Sequence, residues 1–307
     1  MYYIGIDIGG TNIKAAMVAR DGTILEKYTI KTPKNLIAFY EGLQHCIYRV
    51  TQKSGTTTGK IVGIGVGIPG NVDKDGMVYN FVNLGIEREA LGEKLSKLYT
   101  GAKVRIANDA YVAGLAEHEF GALKDCRNAI LLTLGTGIGS SLVLNGSLYT
   151  STQGFTPECG HMSIRKNDFD CNCGNNGCFE TFCSATGFTK QAILFLEKNT
   201  LNTSLRPSGL SPIQILEAYA QGDAAAVRIT DRFVEDLSIG IGNLINMFLP
   251  DKVAIGGGFS KGLSPLLEKI EEKSNAKALN KFKQKTSVVR AELLNDAGVV
   301  GAAMLNL

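Results

Sequence analysis

The fold is decided by two stretches of similar pattern, Ile4-Gly-Ile-Asp-Ile-Gly-Gly-Thr-Asn-Ile-Lys-Ala-Ala-Met-Val18 and Leu131-Leu-Thr-Leu-Gly-Thr-Gly-Ile-Gly-Ser-Ser-Leu-Val143. Each is an apolar strand, a glycine turn and a second apolar strand, and a hairpin signal follows each, Asp21-Gly22 and Asn145-Gly146. The chain therefore looks internally duplicated. The pattern predicts an α/β fold in which two domains face each other across a cleft, and we expect the active site in that cleft.

Glycine turns of this kind bare consecutive N–H groups, and their backbone can close on phosphate oxygens. Thr11 and Thr136 add hydroxyl donors to the two turns. One such turn is equally typical of an ordinary β-hairpin, but the repetition favours a polyphosphate held from both sides. Neither turn matches the P-loop or the dinucleotide fingerprint, because a second strand follows where a helix should begin. A Rossmann dehydrogenase is therefore disfavoured.

A second informative stretch combines thiols, an imidazole and carboxylates. It runs from Glu158-Cys-Gly-His161 to Cys171-Asn-Cys-Gly-Asn-Asn-Gly-Cys-Phe-Glu180. His161, Cys171, Cys173 and Cys178 are enough to satisfy a tetrahedral Zn²⁺, and a closed site of this type is structural rather than catalytic. The alternatives are disulfides, a redox role or plain buried thiols. The count of seven cysteines is odd, and the amino terminus has no signal-peptide pattern, so we expect a reducing cytoplasm. Three scattered cysteines are interpreted as small buried apolar residues: Cys46, Cys126 and Cys183.

Three further segments read as strands that end in loops. They end at Gly70, at Asn108-Asp109 and at Gly256-Gly257-Gly258. Asn108 and Asp109 precede a helical run, so the pattern fits a helix N-cap as well as it fits a catalytic pair. The three glycines fit either a strand-to-helix turn or a close approach to a ligand.

Composition excludes several classes of function. The chain has 307 residues, 44% of them hydrophobic and 20% charged, with a formal net charge of +3. The basic residues are dispersed, so the sequence predicts neither a nucleic-acid groove nor binding to an anionic membrane surface. The longest apolar runs are strand-sized and too short to span a bilayer.

Taken in order, these motifs resemble those of the ROK family of sugar kinases, in the hexokinase–actin superfamily, over essentially the whole chain. The resemblance implies a two-domain fold built on ribonuclease H-like units, with a cleft between the domains. It also implies that Mg²⁺-ATP and a hexose are the substrates. It implies Asp109 as the base that accepts the proton of the attacking hydroxyl. The residues that it implies around the sugar are Gly70, Asn83, Asn108, Asp109, Glu158, His161 and Glu180.

The resemblance also implies sites for the nucleotide and the metals. ATP would lie along the two glycine turns, with Asp7 near Mg²⁺ and the glycines 256–258 beside the adenosine. The residues implied for this site are Asp7, Gly9, Gly10, Thr11, Lys14, Gly135, Thr136, Gly137, Gly256, Gly257 and Gly258. His161 is the fourth ligand of the structural zinc, and a homodimer is expected. Lys14 is also read as an ordinary solvent-facing lysine.

The identity of the sugar is left open by departures from the family pattern. Pro157 stands where glucokinase-like members have glycine, Tyr111 stands where asparagine is common, and the loop before Gly85 differs. Glucose phosphorylated at O6 is the central expectation. Mannose, allose, fructose, N-acetylmannosamine or a β-glucoside are the alternatives.

Two other classes of protein are weighed against a kinase. A sugar-sensing regulator of the same family would carry a helix-turn-helix module ahead of the first strand, and here that strand is expected to begin at residue 2 or 3. An ATPase that works through protein partners would not need the carboxylates and thiols of residues 158–180. The predicted domains are 1–110 with 295–307 and 111–294.

Overall fold

The structure, a computed structural model, describes residues 1–53, 61–81, 84–282 and 285–307. The chain forms two compact units. The first contains Met1–Asp125, Ser141–Pro157 and Glu292–Leu307, and the second contains Cys126–Ser140 and Glu158–Ala291. The first unit extends past the predicted limit at residue 110, because Ala116 and its helix pack in the same core as Tyr3, Ala16 and Val300.

Strands and helices alternate along both units, so the chain has the predicted α/β class. The strands are β1 Tyr2–Ile8, β2 Asn12–Ala19, β3 Ile24–Lys31, β4 Ile61–Ile68, β5 Asn71–Val72, β6 Val78–Phe81, β7 Ile86–Glu89, β8 Lys103–Asn108, β9 Ala129–Leu134, β10 Ile138–Leu144, β11 Ser147–Leu148, β12 Lys252–Gly256 and β13 Ser287–Arg290. The helices are α1 Leu36–Lys53, α2 Leu91–Leu98, α3 Asp109–Phe120, α4 Glu180–Cys183, α5 Ala185–Lys198, α6 Pro212–Ala220, α7 Ala224–Phe248, α8 Leu267–Ala276 and α9 Ala297–Met304. Within the described residues, none of these helices has both the length and the apolar character that crossing a bilayer requires.

The first sheet has the strand order β3-β2-β1-β4-β8. Strands β1 to β3 form an antiparallel meander. Strand β4 runs parallel to β1, and β8 runs parallel to β4. The carboxyl ends of β1, β4 and β8 therefore lie at one edge of the sheet, which is where open α/β sheets bind ligands. A small antiparallel sheet of β5, β6 and β7 belongs to the same unit.

The second sheet has the order β11-β10-β9-β12-β13, which corresponds strand by strand to the first. Strands β10 and β11 are antiparallel, and β9 and β13 both run parallel to β12. Strand β10 carries the chain out of the second unit, whose first segment ends at Ser140. The correspondence confirms the internal duplication that the two glycine turns predict.

Glycines at every second position of β4 have a packing role. A Cβ on Gly65 would lie 1.7 Å from the carbonyl oxygen of Ala302, and one on Gly67 would lie 2.6 Å from the Val112 side chain. Successive residues of a strand point to opposite faces, so these glycines share the face that receives α9 and α3. Gly5 on β1 does the same, since its Cβ would lie 1.8 Å from the Val299 carbonyl oxygen. The helices can approach the sheet this closely only where side chains are missing.

The carboxylate of Glu117, on α3, binds the backbone of the carboxyl-terminal segment. Glu117 is fully buried, and its two oxygens accept hydrogen bonds from the backbone N–H groups of Ala122, Glu292 and Leu293 at 2.7 to 3.0 Å. A buried carboxylate is tolerated when several donors satisfy it. This contact returns the chain to the first unit just before α9 begins.

Candidate active site

Asp109 is the first residue of α3, directly after the carboxyl end of β8. The side chain of Asn108 caps the helix, since its Oδ1 accepts from the N–H groups of Ala110 at 2.9 Å and Tyr111 at 3.2 Å. The Asn108 amide also donates to the Gly70 carbonyl oxygen at 3.0 Å. The sequence pattern fitted a helix N-cap and a catalytic pair equally well; Asn108 performs the capping role, and Asp109 is the first residue of the capped helix.

The environment of Asp109 favours its protonated form. Burial raises the pKa of this carboxyl and the nearby Asp7 carboxylate raises it further, while the Ala110 N–H, 2.8 Å from Oδ1, lowers it. Within the described part of the chain, Asp109 has no ion pair with a lysine or arginine. A half-buried carboxyl without a cationic partner is a candidate proton acceptor.

Asp7 lies at the carboxyl end of β1, which is two strands from β8, the strand that ends just before Asp109. Its Cα pairs with that of Gly67 on β4, and Gly67 pairs with Ala107 on β8. Burial raises the pKa of Asp7, and Lys14, whose Nζ lies 3.8 Å from Oδ2, acts in the opposite direction. The parallel strands therefore bring two carboxylates and one ammonium group to the same sheet edge.

The first glycine turn joins β1 to β2. The Gly9 N–H donates to the Asn12 carbonyl oxygen at 2.9 Å, and the Thr32 hydroxyl donates to the Gly9 carbonyl oxygen at 2.7 Å. The Thr32 N–H donates to the Thr11 carbonyl oxygen at 2.9 Å. Gly10 and Thr11 are exposed, so the tip of this braced turn is accessible to a ligand.

The second glycine turn joins β9 to β10 and lies beside the triple glycine. The Gly135 N–H donates to the Gly137 carbonyl oxygen at 3.0 Å, and Thr136 is exposed. Gly256 pairs with Thr133, because β9 and β12 are parallel and end together. Gly257 has a φ of +81°, and a Cβ there would lie 2.5 Å from the Leu134 carbonyl oxygen. The predicted nucleotide residues of the second unit therefore lie together at one sheet edge.

The thiols and imidazole of the second unit converge as the sequence predicts. Ligand atoms of His161, Cys171, Cys173 and Cys178 all lie within 4.8 Å of one another. The Cys171 Sγ lies 3.7 Å from the His161 Nδ1, and the Sγ atoms of Cys173 and Cys178 are 3.6 Å apart. All seven cysteines are free thiols, and Cys46, Cys126 and Cys183 are buried as predicted.

These distances fit a tetrahedral zinc ion. With Zn–S bonds of about 2.3 Å, neighbouring ligands of such an ion lie about 3.8 Å apart. The backbone N–H of Asn175 lowers the pKa of Cys173 to about 7, whereas burial raises the pKa of Cys171 and of Cys178, so a metal ion would displace protons from those two thiols on binding. Gly174 and Gly177 have φ values of +90° and +86°, so the loop can turn tightly between its thiols.

Glu180 lies between this cluster and the second glycine turn. Its Oε1 is 3.0 Å from the Cys171 Sγ, and its Oε2 accepts from the Ile138 N–H at 3.3 Å. A Cβ on Gly137 would lie 2.6 Å from Oε2, so the carboxylate rests against the turn itself. Glu158 is exposed at the start of a short 3-10 turn, Cys159–His161. Asn83, the remaining predicted sugar residue, lies outside the described residues.

The model of the ROK family matches residues 3–307 of this chain. The chain belongs to the ROK family. A glucokinase of Halalkalibacterium halodurans is 34% identical over 99% of this chain and 94% of its own length. An N-acetyl-D-glucosamine kinase of Haemophilus influenzae is 29% identical over 100% of this chain and 99% of its own length.

Solved structures of ROK proteins share the fold. The ROK family glucokinase of Streptomyces griseus, in complex with glucose and AMPPNP, superimposes with a TM-score of 0.83 and 27% identity, covering 99% of each chain. The two-domain hexokinase-like fold class that the sequence predicts is thereby confirmed.

Sequence reasoning missed several residues that shape this ROK site. Thr32 braces the first glycine turn, and Arg165 pairs with the buried Asp236. Gly298 of α9 lies against Asp7, because a Cβ there would be 2.6 Å from the Asp7 Cγ. These residues have no motif of their own, and each is far in sequence from the group it contacts. No local pattern could have identified them.

Proposed function

We propose that this ATP-dependent sugar kinase phosphorylates glucose at O6, with Asp109 as the general base. The observation that carries the assignment is the half-buried Asp109 carboxyl. It lies at the capped start of α3, directly after β8, and has no cationic partner within the described residues. A base in this position accepts the proton of the attacking hydroxyl, a contribution typically worth about 10²- to 10⁴-fold in rate.

The nucleotide is proposed to lie along both glycine turns. The exposed tips of these turns, with the hydroxyls of Thr11 and Thr136, suit phosphate oxygens. Mg²⁺ bound to ATP neutralises charge on the transferring phosphoryl group. Asp7 is a suitable residue to hold that ion, directly or through water, and the Lys14 ammonium offers a further positive charge beside it. The glycines 256–258 would receive the adenosine.

The sugar is proposed to contact amide, imidazole and carboxylate groups from several segments. Hexose hydroxyls pair well with such groups, and contacts on several ring edges fix one hydroxyl for transfer. The residues assigned to this role are Gly70, Asn83, Asn108, Asp109, Glu158, His161 and Glu180. His161, Cys171, Cys173 and Cys178 would hold a structural Zn²⁺, which fixes the loop that ends in Glu180.

Glucose is favoured over other sugars by the relatives. The glucokinase that matches at 34% identity and the glucose-bound ROK structure both act on or bind glucose by name. The N-acetyl-D-glucosamine kinase is nearly as similar, so an N-acetylhexosamine is the second candidate. The homodimer remains a prediction of the family resemblance.

The deciding experiment is ADP release from Mg²⁺-ATP with purified protein and a panel of sugars. The panel contains glucose, mannose, allose, fructose, N-acetylmannosamine, N-acetylglucosamine and a β-glucoside. The Asp125→Asn variant, which changes an exposed residue, is assayed with the same sugars as a control. We expect the highest kcat/KM with glucose and a product identified as glucose 6-phosphate. A higher kcat/KM with another sugar would replace glucose as the substrate, and no release with any sugar would contradict the proposal.

A substitution at Gly298 tests the role of Asp7. Gly298→Ala should raise the KM for Mg²⁺-ATP about tenfold, because the new methyl group displaces the Asp7 carboxylate. The thermal stability should change little, since alanine favours the helix by about 1 kcal/mol and offsets part of the strain. Gly101→Ala is the matched control, because a Cβ there meets nothing within 4 Å. An unchanged KM in Gly298→Ala would remove Asp7 from the nucleotide site.

A further inference from the structure

Arg165 forms a bidentate ion pair that the motifs of the chain do not include. Its Nε lies 2.7 Å from the Asp236 Oδ1, and one terminal nitrogen lies 2.7 Å from Oδ2. Asp236 is on α7 and is 2% exposed. The parallel fork geometry fixes the orientation of the guanidinium as well as its position. The pair therefore ties the segment around Arg165 to the long buried helix of the second unit.

The flat face of the same guanidinium lies on an aromatic ring of α4. The Arg165 Cζ is 3.8 Å from the centroid of the Phe182 ring, and Phe182 is 1% exposed. This is a close cation–π contact with a desolvated ring. Helix α4 begins at Glu180, so Phe182 is only two residues from the carboxylate that lies against the second glycine turn. The side chain of Arg165 thus packs on the helix that carries Glu180.

The backbone next to Arg165, residues 163–165, contacts the other end of the thiol loop. The Ile164 N–H donates to the Gly177 carbonyl oxygen at 2.9 Å, and Ser163 forms a β-bridge with Cys178. A Cβ on Gly177 would lie 2.2 Å from the Arg165 carbonyl oxygen. Cys178, one of the four predicted zinc ligands, is therefore paired with the segment of residues 163–165, which ends in Arg165.

We propose that Arg165, together with Asp236, is a positioning residue for Glu180 and for the zinc loop, residues 171–178. This inference rests on the proposed function, because Glu180 matters to catalysis only if it lies in the sugar site. Residues 172–176 are exposed, so the loop gains little rigidity from packing of its own. The Arg165 side chain contacts α7 and α4, and its neighbour Ser163 pairs with Cys178, so Arg165 can transmit the rigidity of α7 to both Glu180 and the zinc loop.

The test uses the full-length, zinc-loaded protein and four variants. Arg165→Lys keeps the charge but loses the fork, Arg165→Met loses both, and Arg165→Met with Asp236→Leu replaces the pair by apolar groups. Arg232→Met is the matched control, because Arg232 also approaches Asp236, at 3.5 Å, but is 61% exposed. The measurements are the rate of Zn²⁺ release to a chromophoric chelator, the KM for sugar and for ATP, and the melting temperature.

Loss of the fork should accelerate Zn²⁺ release and raise the sugar KM, each roughly tenfold, as is usual for groups that orient metal ligands. The double variant should regain the melting temperature, since apolar residues often replace a buried ion pair without loss of stability. Its Zn²⁺ release and KM should stay altered. Arg232→Met should behave as wild type.

Two results with the variants would overturn the proposal: single variants that change only the melting temperature, or a double variant that regains Zn²⁺ retention and KM together with stability. A wild-type protein that binds no Zn²⁺ would overturn it as well. Zn²⁺ release is measured without sugar or nucleotide. A failure of the proposed kinase function therefore leaves that measurement valid, and the two failures can be told apart.

Discussion

Replacing Asp109 by Asn is expected to lower kcat by about 10²- to 10⁴-fold while leaving the KM for sugar nearly unchanged. Asparagine keeps the shape and the oxygen that accepts from the Ala110 N–H, but it cannot take a proton. Steady-state kinetics with Mg²⁺-ATP and the sugar identified in the panel measure the effect. Asp125→Asn, an exposed carboxylate of the same unit, is the control. A wild-type kcat in Asp109→Asn would exclude Asp109 as the base.

The same substitution should not destabilise the protein at neutral pH. Burial raises the pKa of Asp109 in the folded state above the ordinary value of 3.8, so ionisation of this group opposes folding. The free energy of unfolding should therefore be higher in Asp109→Asn than in wild type above the raised pKa. The two should converge below pH 3.8, where Asp109 is protonated in both states. Urea unfolding at several pH values tests this, and a large loss of stability in the variant would contradict it.

The raised pKa also predicts the pH dependence of the reaction. The base must be ionised, so the acid limb of the kcat/KM profile should lie above pH 3.8. The Asp7 carboxylate contributes to this limb, because its charge raises the pKa of Asp109. Gly298→Ala moves Asp7 and should therefore shift the acid limb, which links the two carboxylates in one measurement.

The elements that could be predicted from sequence are those with a local signal. Both glycine turns and the zinc loop lie where their motifs predict them, and α7 follows its apolar period from Ala224 to Phe248.

The contacts that could not be predicted join distant parts of the chain. Glu117 of α3 is fully buried, and its carboxylate is satisfied by the N–H groups of residues 292 and 293, which are far from it in sequence. Gly65 and Gly67 lie in a segment that the sequence predicts as a strand, but the sequence does not show that they are packing sites for helices. Both outcomes depend on which helix crosses which strand, and a single sequence carries no direct signal for that choice.

Removal of the proposed structural zinc is the second change for which we expect a large effect. The position of Glu180 determines which KM values should change. Glu180 contacts Cys171 through one oxygen and the Ile138 N–H of the second glycine turn through the other. Cys178→Ser, or stripping with a chelator, should therefore raise the KM for sugar by about 100-fold and also raise the KM for ATP. If the loop contributed only to sugar binding, zinc removal would raise the KM for sugar and leave the KM for ATP unchanged.

Metal content by plasma mass spectrometry and both KM values test this prediction. Cys46→Ala is the control, because Cys46 is a buried thiol of the first unit and is not a ligand. Its zinc content and both KM values should be those of wild type. Glu180→Gln in zinc-loaded protein separates the causes, since it keeps the metal ligands but weakens the acceptor at Ile138. If Glu180→Gln and zinc removal raise the KM for ATP alike, the metal acts on the nucleotide through Glu180. If zinc-free protein keeps both wild-type constants, the metal contributes to neither substrate.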